Sequence, residues 1–330
     1  MNSQNVPVIS IDQLHRPQTL RKLDRACRDW GFFQVVDHGI DPELITRLQL
    51  EMNRFFRQPV AVKRAISRTE DNPWGFFDRE LTKNTRDWKQ VFDYGPENSG
   101  SIRPQWPVAQ PALQAVMQTY YSACEALALR LLSAISVNLG MPAYCLGANF
   151  QSEHSSFVRL NYYPPCLTPA RPEGLQTPAA GHLGVNYHTD SGALTLLLQD
   201  RQPGLEVFRK GQWHGVEPRD DALVINIGDI VQVWSNDHYR AALHRVTTHT
   251  SASRYSVPFF LNPAYSTDYA PLPSMTSSAD PARYRPINWG EFRSARVSDD
   301  YADQGEEIQI NRYRVATTTG LIPNNAVTAV

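Results

Sequence analysis

The chain lacks an excess of either charge. Its 330 residues carry 32 Lys and Arg against 33 Asp and Glu, a formal net charge of −1. No overall field therefore favours nucleic acid or an anionic membrane, and a charged ligand must be held by local groups. Cysteine is scarce: Cys27, Cys124, Cys145 and Cys166 lie far apart and form no CxxC pair. That argues against a disulfide framework and against a thiolate zinc site, and buried, reduced thiols are expected. No window approaches the roughly 20 apolar residues of a membrane helix, and Met1 to Asp12 has no basic stretch followed by an apolar run. The expectation is a cytoplasmic protein with neither a membrane nor a nucleic-acid partner, of unknown oligomeric state.

What is present is an ordinary globular composition, 42% hydrophobic, long enough for one large domain or two smaller ones. The opening segment reads as a short strand from Pro7 to Ile11, a helix from Pro17 to Trp30, a strand from Phe32 to Val36 and a second helix after Asp41. Asp41-Pro42-Glu43 is a helix start, with an N-cap acceptor, a first-turn proline and an acid near the positive dipole end. From Pro59 to Pro107 the chain is polar, aromatic and rich in breakers, which reads as helix fragments and loops. Gln110 to Gly140 is the clearest helix: Leu113, Val116, Met117, Tyr120, Cys124, Leu127, Leu131 and Ile135 recur at three- and four-residue steps, and Gly140-Met141-Pro142 stops it.

Beyond Ser155 the period changes to two. Phe157 to Tyr163, Ala193 to Leu198, Leu223 to Ile227, Ile230 to Trp234 and Tyr255 to Leu261 read as strands separated by turn signals, as in an all-β barrel or sandwich. Cys166 to Gly184 is a long proline- and glycine-containing loop, either a cover over a site or a surface excursion. A helix is expected from Asn288 to Arg296, followed by a loose polar tail.

Of nine histidines only His188 is followed two residues later by an acid, Asp190. Two residues apart on a strand share a face, so this pair can grip one ion. His244, in the apolar run Ala-Leu-His-Arg-Val, needs a metal or a hydrogen-bond partner, and the chain between Asp190 and His244 is long enough to return to the same barrel mouth. Two imidazoles and one carboxylate on one face of an octahedron suit iron(II) oxygen chemistry; core histidines and a surface aspartate are the alternative. Further on, Arg254 and Ser256 share a strand face that also carries Phe260 and Asn262. A guanidinium beside a hydroxyl can take a carboxylate, although a surface arginine in a salt bridge gives the same pattern.

Asn161-Tyr162-Tyr163-Pro164-Pro165-Cys166, His188-Thr189-Asp190, Asn226-Ile227-Gly228-Asp229, His244-Arg245-Val246 and Arg254-Tyr255-Ser256 resemble, in order and spacing, the isopenicillin N synthase-like 2-oxoglutarate oxygenases. Trp30 to Ile40 and Asp87-Trp88-Lys89 are similar to that family as well. The resemblance implies a mainly β fold with flanking helices, a double-stranded β-helix or jelly-roll core. It implies a single oxygenase domain over 1–330: a helical region 1–150, a jelly-roll core 151–265 carrying the iron and 2-oxoglutarate sites, and a C-terminal helix and tail 266–330. It implies His188, Asp190 and His244 as iron ligands, Arg254 and Ser256 as clamp for 2-oxoglutarate, and Tyr163 and Asn161 as its support; His38 is structural. The loop before His188 is longer than in the plant pattern.

The cofactors implied are Fe(II), 2-oxoglutarate and O2, with ascorbate as a reductant. The reaction implied is oxidation of a small molecule, in secondary metabolism, by hydroxylation, desaturation or ring closure, with release of succinate and carbon dioxide. Arg159, Phe260 and Asn262 are the substrate-pocket candidates by strand alternation, with Phe76 and Trp88 from the N-terminal half. Two rivals stand beside this reading: an iron oxidase that needs no 2-oxoglutarate, and a metal-binding jelly-roll sensor without turnover.

Overall fold

A computed structural model of the chain describes residues 5–316 apart from 70, 97–101, 152 and 302–307; side chains are described as far as Arg296 and again from Ile308. Two sheets make its frame. The major sheet has eight strands in the order Val8–Ser10, Phe32–Val36, Leu223–Ile227, Leu194–Gln199, Arg254–Leu261, Phe157–Tyr163, Gln90–Tyr94 and Gly75–Phe77. Only the first pair is parallel. The minor sheet has four strands in the order Gln212–Gly215, Leu205–Arg209, His244–Val246 and Val185–His188, all antiparallel.

Strand alternation divides the apolar side chains into two clusters. Leu223, Ile225, Leu196, Leu198, Val257, Phe259, Val158 and Leu160 face outward, onto helices Pro42–Phe56 and Pro111–Asn138. Their neighbours Phe32, Val224, Leu197 and Tyr163 face inward, onto Val185, Leu205, Val207 and Val246 of the minor sheet. The interior face of the major sheet therefore also carries Arg159, Asn161, Thr195, Asn226, Arg254 and Ser256, the polar residues from which a site can be built.

The helices follow their signals. Asp41 caps its helix by accepting from Glu43 N at 2.9 Å. Helix Pro111–Asn138 ends where Gly140, at φ +74°, allows a left-handed turn: Gly140 N donates to Val137 O and Met141 N to Ser136 O, so two terminal carbonyls are satisfied. The C-terminal helix spans Trp289–Tyr301, longer than expected; residues 317–330 of the polar tail lie outside the described residues.

Two expectations fail. The stretch Pro59 to Pro107 holds not only helix Val60–Arg64 but four short strands, two of which, Gly75–Phe77 and Gln90–Tyr94, extend the major sheet. Ile230 to Trp234 is not a strand: Asp229–Trp234 is a short helix, buried at five of its six residues. An apolar run buried on every side has no period to separate strand from helix.

Cys27, Cys124 and Cys166 are buried and Cys145 half-buried, all free. Among the described residues no helix is long and apolar enough to cross a membrane.

Candidate active site

His188 ends its strand directly opposite His244 on the next one, an antiparallel pair that sets the rings side by side with centroids 4.2 Å apart. Asp190 follows His188 by two residues, and its Oδ1 lies 3.6 Å from His188 Nε2 and 3.7 Å from His244 Nε2. One ligand atom from each of the three falls within 4.8 Å of the others.

The surrounding groups fix which atoms face the centre. His188 Nδ1 lies 2.8 Å from Asn186 O, and His244 Nδ1 lies 3.1 Å from Ala242 O. A carbonyl only accepts, so each Nδ1 carries the proton and each Nε2 keeps its lone pair for a ligand. Asp190 Oδ2 accepts from Thr195 Oγ1 and, at 2.8 Å, from Asn226 Nδ2, which leaves Oδ1 for the same centre. These are the outer partners that orient metal ligands and hold their tautomers.

The Asn226-Ile227-Gly228-Asp229 segment also seats the Asp190 backbone. Asp229 N donates to Asp190 O at 2.8 Å and Gly228 N to Ala193 O at 2.9 Å. A Cβ on residue 228 would lie 2.8 Å from Asp190 O and collide with Gly192 O, so only glycine allows this approach.

Burial and the neighbouring His188 lower the His244 pKa to about 4, so its imidazole is neutral at physiological pH, as metal binding requires. Burial pushes the Asp190 carboxyl up, but His244, His188 and Asn226 outweigh it and hold the carboxyl well below the usual range. Burial likewise opposes charge on His188, and the adjacent Asp190 outweighs it and raises the pKa. Two imidazoles and a carboxylate with the remaining positions open fit a mononuclear iron(II) site.

Two chambers share His188, Asp190, Lys89 and Arg159 in their linings. The inner one, about 90 Å³, is lined by Asn161, Tyr163, Asn226, Arg254 and Ser256 together with the triad. Arg254 is 1% exposed. Its Nη2 donates to Gln199 Oε1 at 2.7 Å, its Cζ sits 5.2 Å from the Tyr163 ring centroid, and its Nε and Nη1 have no hydrogen-bond partner. A buried guanidinium with unmade bonds costs roughly 1–3 kcal/mol or more, a penalty that a bound carboxylate removes. Ser256 pairs with Asn161 across the strands and accepts from its Nδ2 at 3.3 Å, while Asn161 Oδ1 is buried and unpartnered. These orphaned groups beside the triad fit a small dicarboxylate that also reaches the metal.

The outer chamber, about 110 Å³, is lined by Glu80, Lys89, Phe157, Arg159, Phe260 and Asn262 among others. Arg159, Phe260 and Asn262 are thus at the cavity, though Arg159 is held by carboxylates: its Nε lies 2.7 Å from Asp93 Oδ1 and its Nη2 2.8 Å from Glu80 Oε1. Two substrate candidates are corrected. Phe76 is fully buried in the core against Phe55, 6.3 Å between centroids, and lines neither chamber. Trp88 also lines neither; it stacks on His182 at 4.6 Å and donates from Nε1 to Pro165 O at 3.3 Å.

The residue missed beside it is Lys89, which borders both chambers, its side chain 7% exposed, with Nζ 2.9 Å from Glu80 Oε2 and 3.0 Å from Asp87 Oδ2. Asp87-Trp88-Lys89 lies in irregular chain just before strand Gln90–Tyr94, so no period in the sequence marks which of the three meets the cavity. His38 lies away from both chambers, its Nδ1 accepting from Ile40 N at 3.1 Å. The Cys166 to Gly184 loop is tied down at several points, with Arg245 donating to Pro172 O at 2.8 Å and Trp213 to Gly174 O at 2.7 Å.

The family model of the 2OG-Fe(II) oxygenase superfamily matches residues 154–263, and that of the N-terminal region of a non-haem dioxygenase in morphine synthesis matches residues 6–113. Flavanone 3-dioxygenase 2 of Oryza sativa subsp. japonica is 34% identical over 301 residues, covering 88% of this chain and 83% of its own. Jasmonate-induced oxygenase 2 of Arabidopsis thaliana is 31% identical over 301 residues, covering 88% and 78%. The crystal structure of JOX2 in complex with 2OG, Fe and JA superposes with a TM-score of 0.77 at 31% identity, covering 88% of this chain and 84% of that one. The dioxygenase for auxin oxidation in rice, at 22% identity, shares the fold with a TM-score of 0.71, covering 94% and 100%. The chain belongs to the 2-oxoglutarate- and iron(II)-dependent oxygenases of the plant type, a jelly-roll dioxygenase that acts on a small molecule.

Proposed function

We propose that His188, Asp190 and His244 hold the iron, that Arg254 and Ser256 receive the distal carboxylate of 2-oxoglutarate, and that Tyr163 and Asn161 flank it. The observation that carries the clamp is the pair of unpartnered, buried guanidinium nitrogens on Arg254, in the chamber that His188, Asp190 and His244 also line. When bound, iron with 2-oxoglutarate and dioxygen supplies oxidative decarboxylation coupled to cleavage of a substrate C–H bond.

The chain's own residues position and shield. Asn186 and Ala242 carbonyls keep both imidazoles in the ligating tautomer. Thr195 and Asn226 aim the Asp190 carboxylate. Phe32, Leu197, Leu205, Val246 and Pro258 line the inner chamber and keep water from it. Phe260 and Asn262 border the outer chamber, where the prime substrate lies within reach of the open metal positions.

The segments 1–150, 151–265 and 266–330 work as one cytoplasmic oxygenase unit in this reading. Its place is in secondary metabolism, as the flavonoid, jasmonate and gibberellin enzymes among the relatives suggest. The test is formation of succinate by the iron-loaded protein: the reading requires dependence on added 2-oxoglutarate, and turnover of a substrate without it would favour the oxidase of the isopenicillin N synthase type.

A further inference from the structure

Lys89 lines both chambers, as His188 and Asp190 do. The chain on either side fixes its place. Asp87 is anchored just ahead of it, Oδ2 accepting from Thr82 Oγ1 at 2.9 Å and Oδ1 from Asn186 N at 3.3 Å. Strand Gln90–Tyr94 begins directly after it and pairs with Phe157–Tyr163, Gln90 opposite Tyr162. The ammonium is near enough to the triad to oppose charge on His188.

Its bonding is incomplete. An ammonium has three N–H donors. Glu80 Oε2 at 2.9 Å and Asp87 Oδ2 at 3.0 Å take two, and no other described residue accepts from Nζ. The side chain is otherwise enclosed, 7% exposed, so the donor left over opens on ligand space. Burial opposes charge on this lysine, but Asp87 and Glu80 outweigh it and raise its pKa, which makes the group a donor rather than a nucleophile at physiological pH.

Charge decides what that donor takes. Arg68, Lys89 and Arg159 meet Glu80, Asp87 and Asp93 in one buried network, three cations to three carboxylates. A further anion on Nζ would tip that balance and be repelled by Glu80 and Asp87, whereas a neutral oxygen accepts the bond and leaves the balance as it is. Apolar surface lies alongside, with Phe157 and Phe260 stacked at 4.7 Å and both lining the outer chamber.

We propose that Lys89 determines substrate choice: its third N–H donates to a neutral carbonyl oxygen of the prime substrate, whose apolar body lies along Phe157 and Phe260 toward His188 and Asp190. The inference rests on the oxygenase reading of the site. It adds to that reading a contact residue and a substrate class, a largely apolar molecule bearing a carbonyl.

The test uses full-length protein loaded anaerobically with iron(II) and 2-oxoglutarate. Calorimetry measures binding of acetophenone beside ethylbenzene and of indanone beside indane, with benzoate as the anionic arm. At least one ketone is expected to bind about tenfold or more tighter than its hydrocarbon, the effect of one hydrogen bond to a charged group, and benzoate no tighter than acetophenone. In Lys89→Met the ratio is expected to fall below about threefold while the 2-oxoglutarate KM stays within about threefold of wild type. If that variant does not fold, Lys89→Met combined with Asp87→Asn restores the charge balance and is read in the same way. Equal binding of ketone and hydrocarbon, no binding by either ketone, tighter binding of benzoate, or a preference that survives without Lys89 overturns the inference. So does a 2-oxoglutarate KM raised about tenfold in the variant, which would give the donor to the co-substrate. Slow succinate formation by the same wild-type sample in air is the control. Its absence sinks the oxygenase reading itself, whereas its presence without ketone preference sinks only the role of Lys89.

Discussion

Arg254 and Arg159 stand on adjacent strands of the major sheet and face the same interior, yet they are built in opposite ways. Arg159 is gripped by Asp93 and Glu80 at 2.7–2.9 Å. Arg254 has one amide acceptor, the carboxylate of Asp200 acting on it from nearby, and two nitrogens with no partner. Two buried cations of the same type therefore differ in kind: the saturated one holds a wall together, and the under-satisfied one is the proposed seat of a ligand carboxylate.

Five sets of variants break or sharpen that contrast. The largest loss is expected at the centre that both arginines frame. His188→Ala, Asp190→Ala or His244→Ala should reduce 2-oxoglutarate-dependent succinate formation to background while circular dichroism and melting stay near wild type; ordinary turnover in any of the three contradicts the ligand set.

Next, Arg159→Met leaves Glu80 and Asp93 short of a buried partner and should cost about 3–5 kcal/mol of stability, read in denaturant melts. Phe76→Ala is the apolar counterpart, with a loss of about 3–5 kcal/mol from an emptied core and no change in the KM for 2-oxoglutarate. Arg254→Met should do the reverse: the apo protein melts no lower than wild type, whereas the 2-oxoglutarate KM rises about 100-fold, the loss of two charge-assisted bonds at about 1.5 kcal/mol each. Equal destabilisation by Arg159→Met and Arg254→Met would erase the distinction. The smallest effect belongs to Asn226→Ala, which frees one side of Asp190 Oδ2 and should weaken iron affinity by about 10–100-fold in a chelator competition.

The same contrast explains what could be read in the sequence. Phe32–Val36, Phe157–Tyr163 and Leu223–Ile227 have the bounds that alternation and turn signals imply. The triad and the Arg254 face were legible because their partners lie on strands whose two-residue period is clear. The other wall was not. Strand Gln90–Tyr94 belongs to the major sheet, but four of its five residues are buried, Asp93 among them, so polarity carries no period there. Glu80, Asp87 and Lys89 look like a solvated loop until Arg68 and Arg159 arrive from elsewhere in the chain to bury them. Trp88 draws attention as the large aromatic, while the shorter-signalled Lys89 faces the cavity. Helix Asp229–Trp234 was illegible for a related reason, since burial on all sides removes the amphipathic stripe.

The central claim is that this triad and Arg254 together seat iron and 2-oxoglutarate. Anaerobic titration of the apo protein with iron(II) and 2-oxoglutarate, followed by the visible charge-transfer band of the chelate, tests it most directly. One band per chain that saturates in the wild type, disappears in His244→Ala and needs about 100-fold more 2-oxoglutarate in Arg254→Met is the expected result. A band of full strength in His244→Ala, or none in the wild type, contradicts the account.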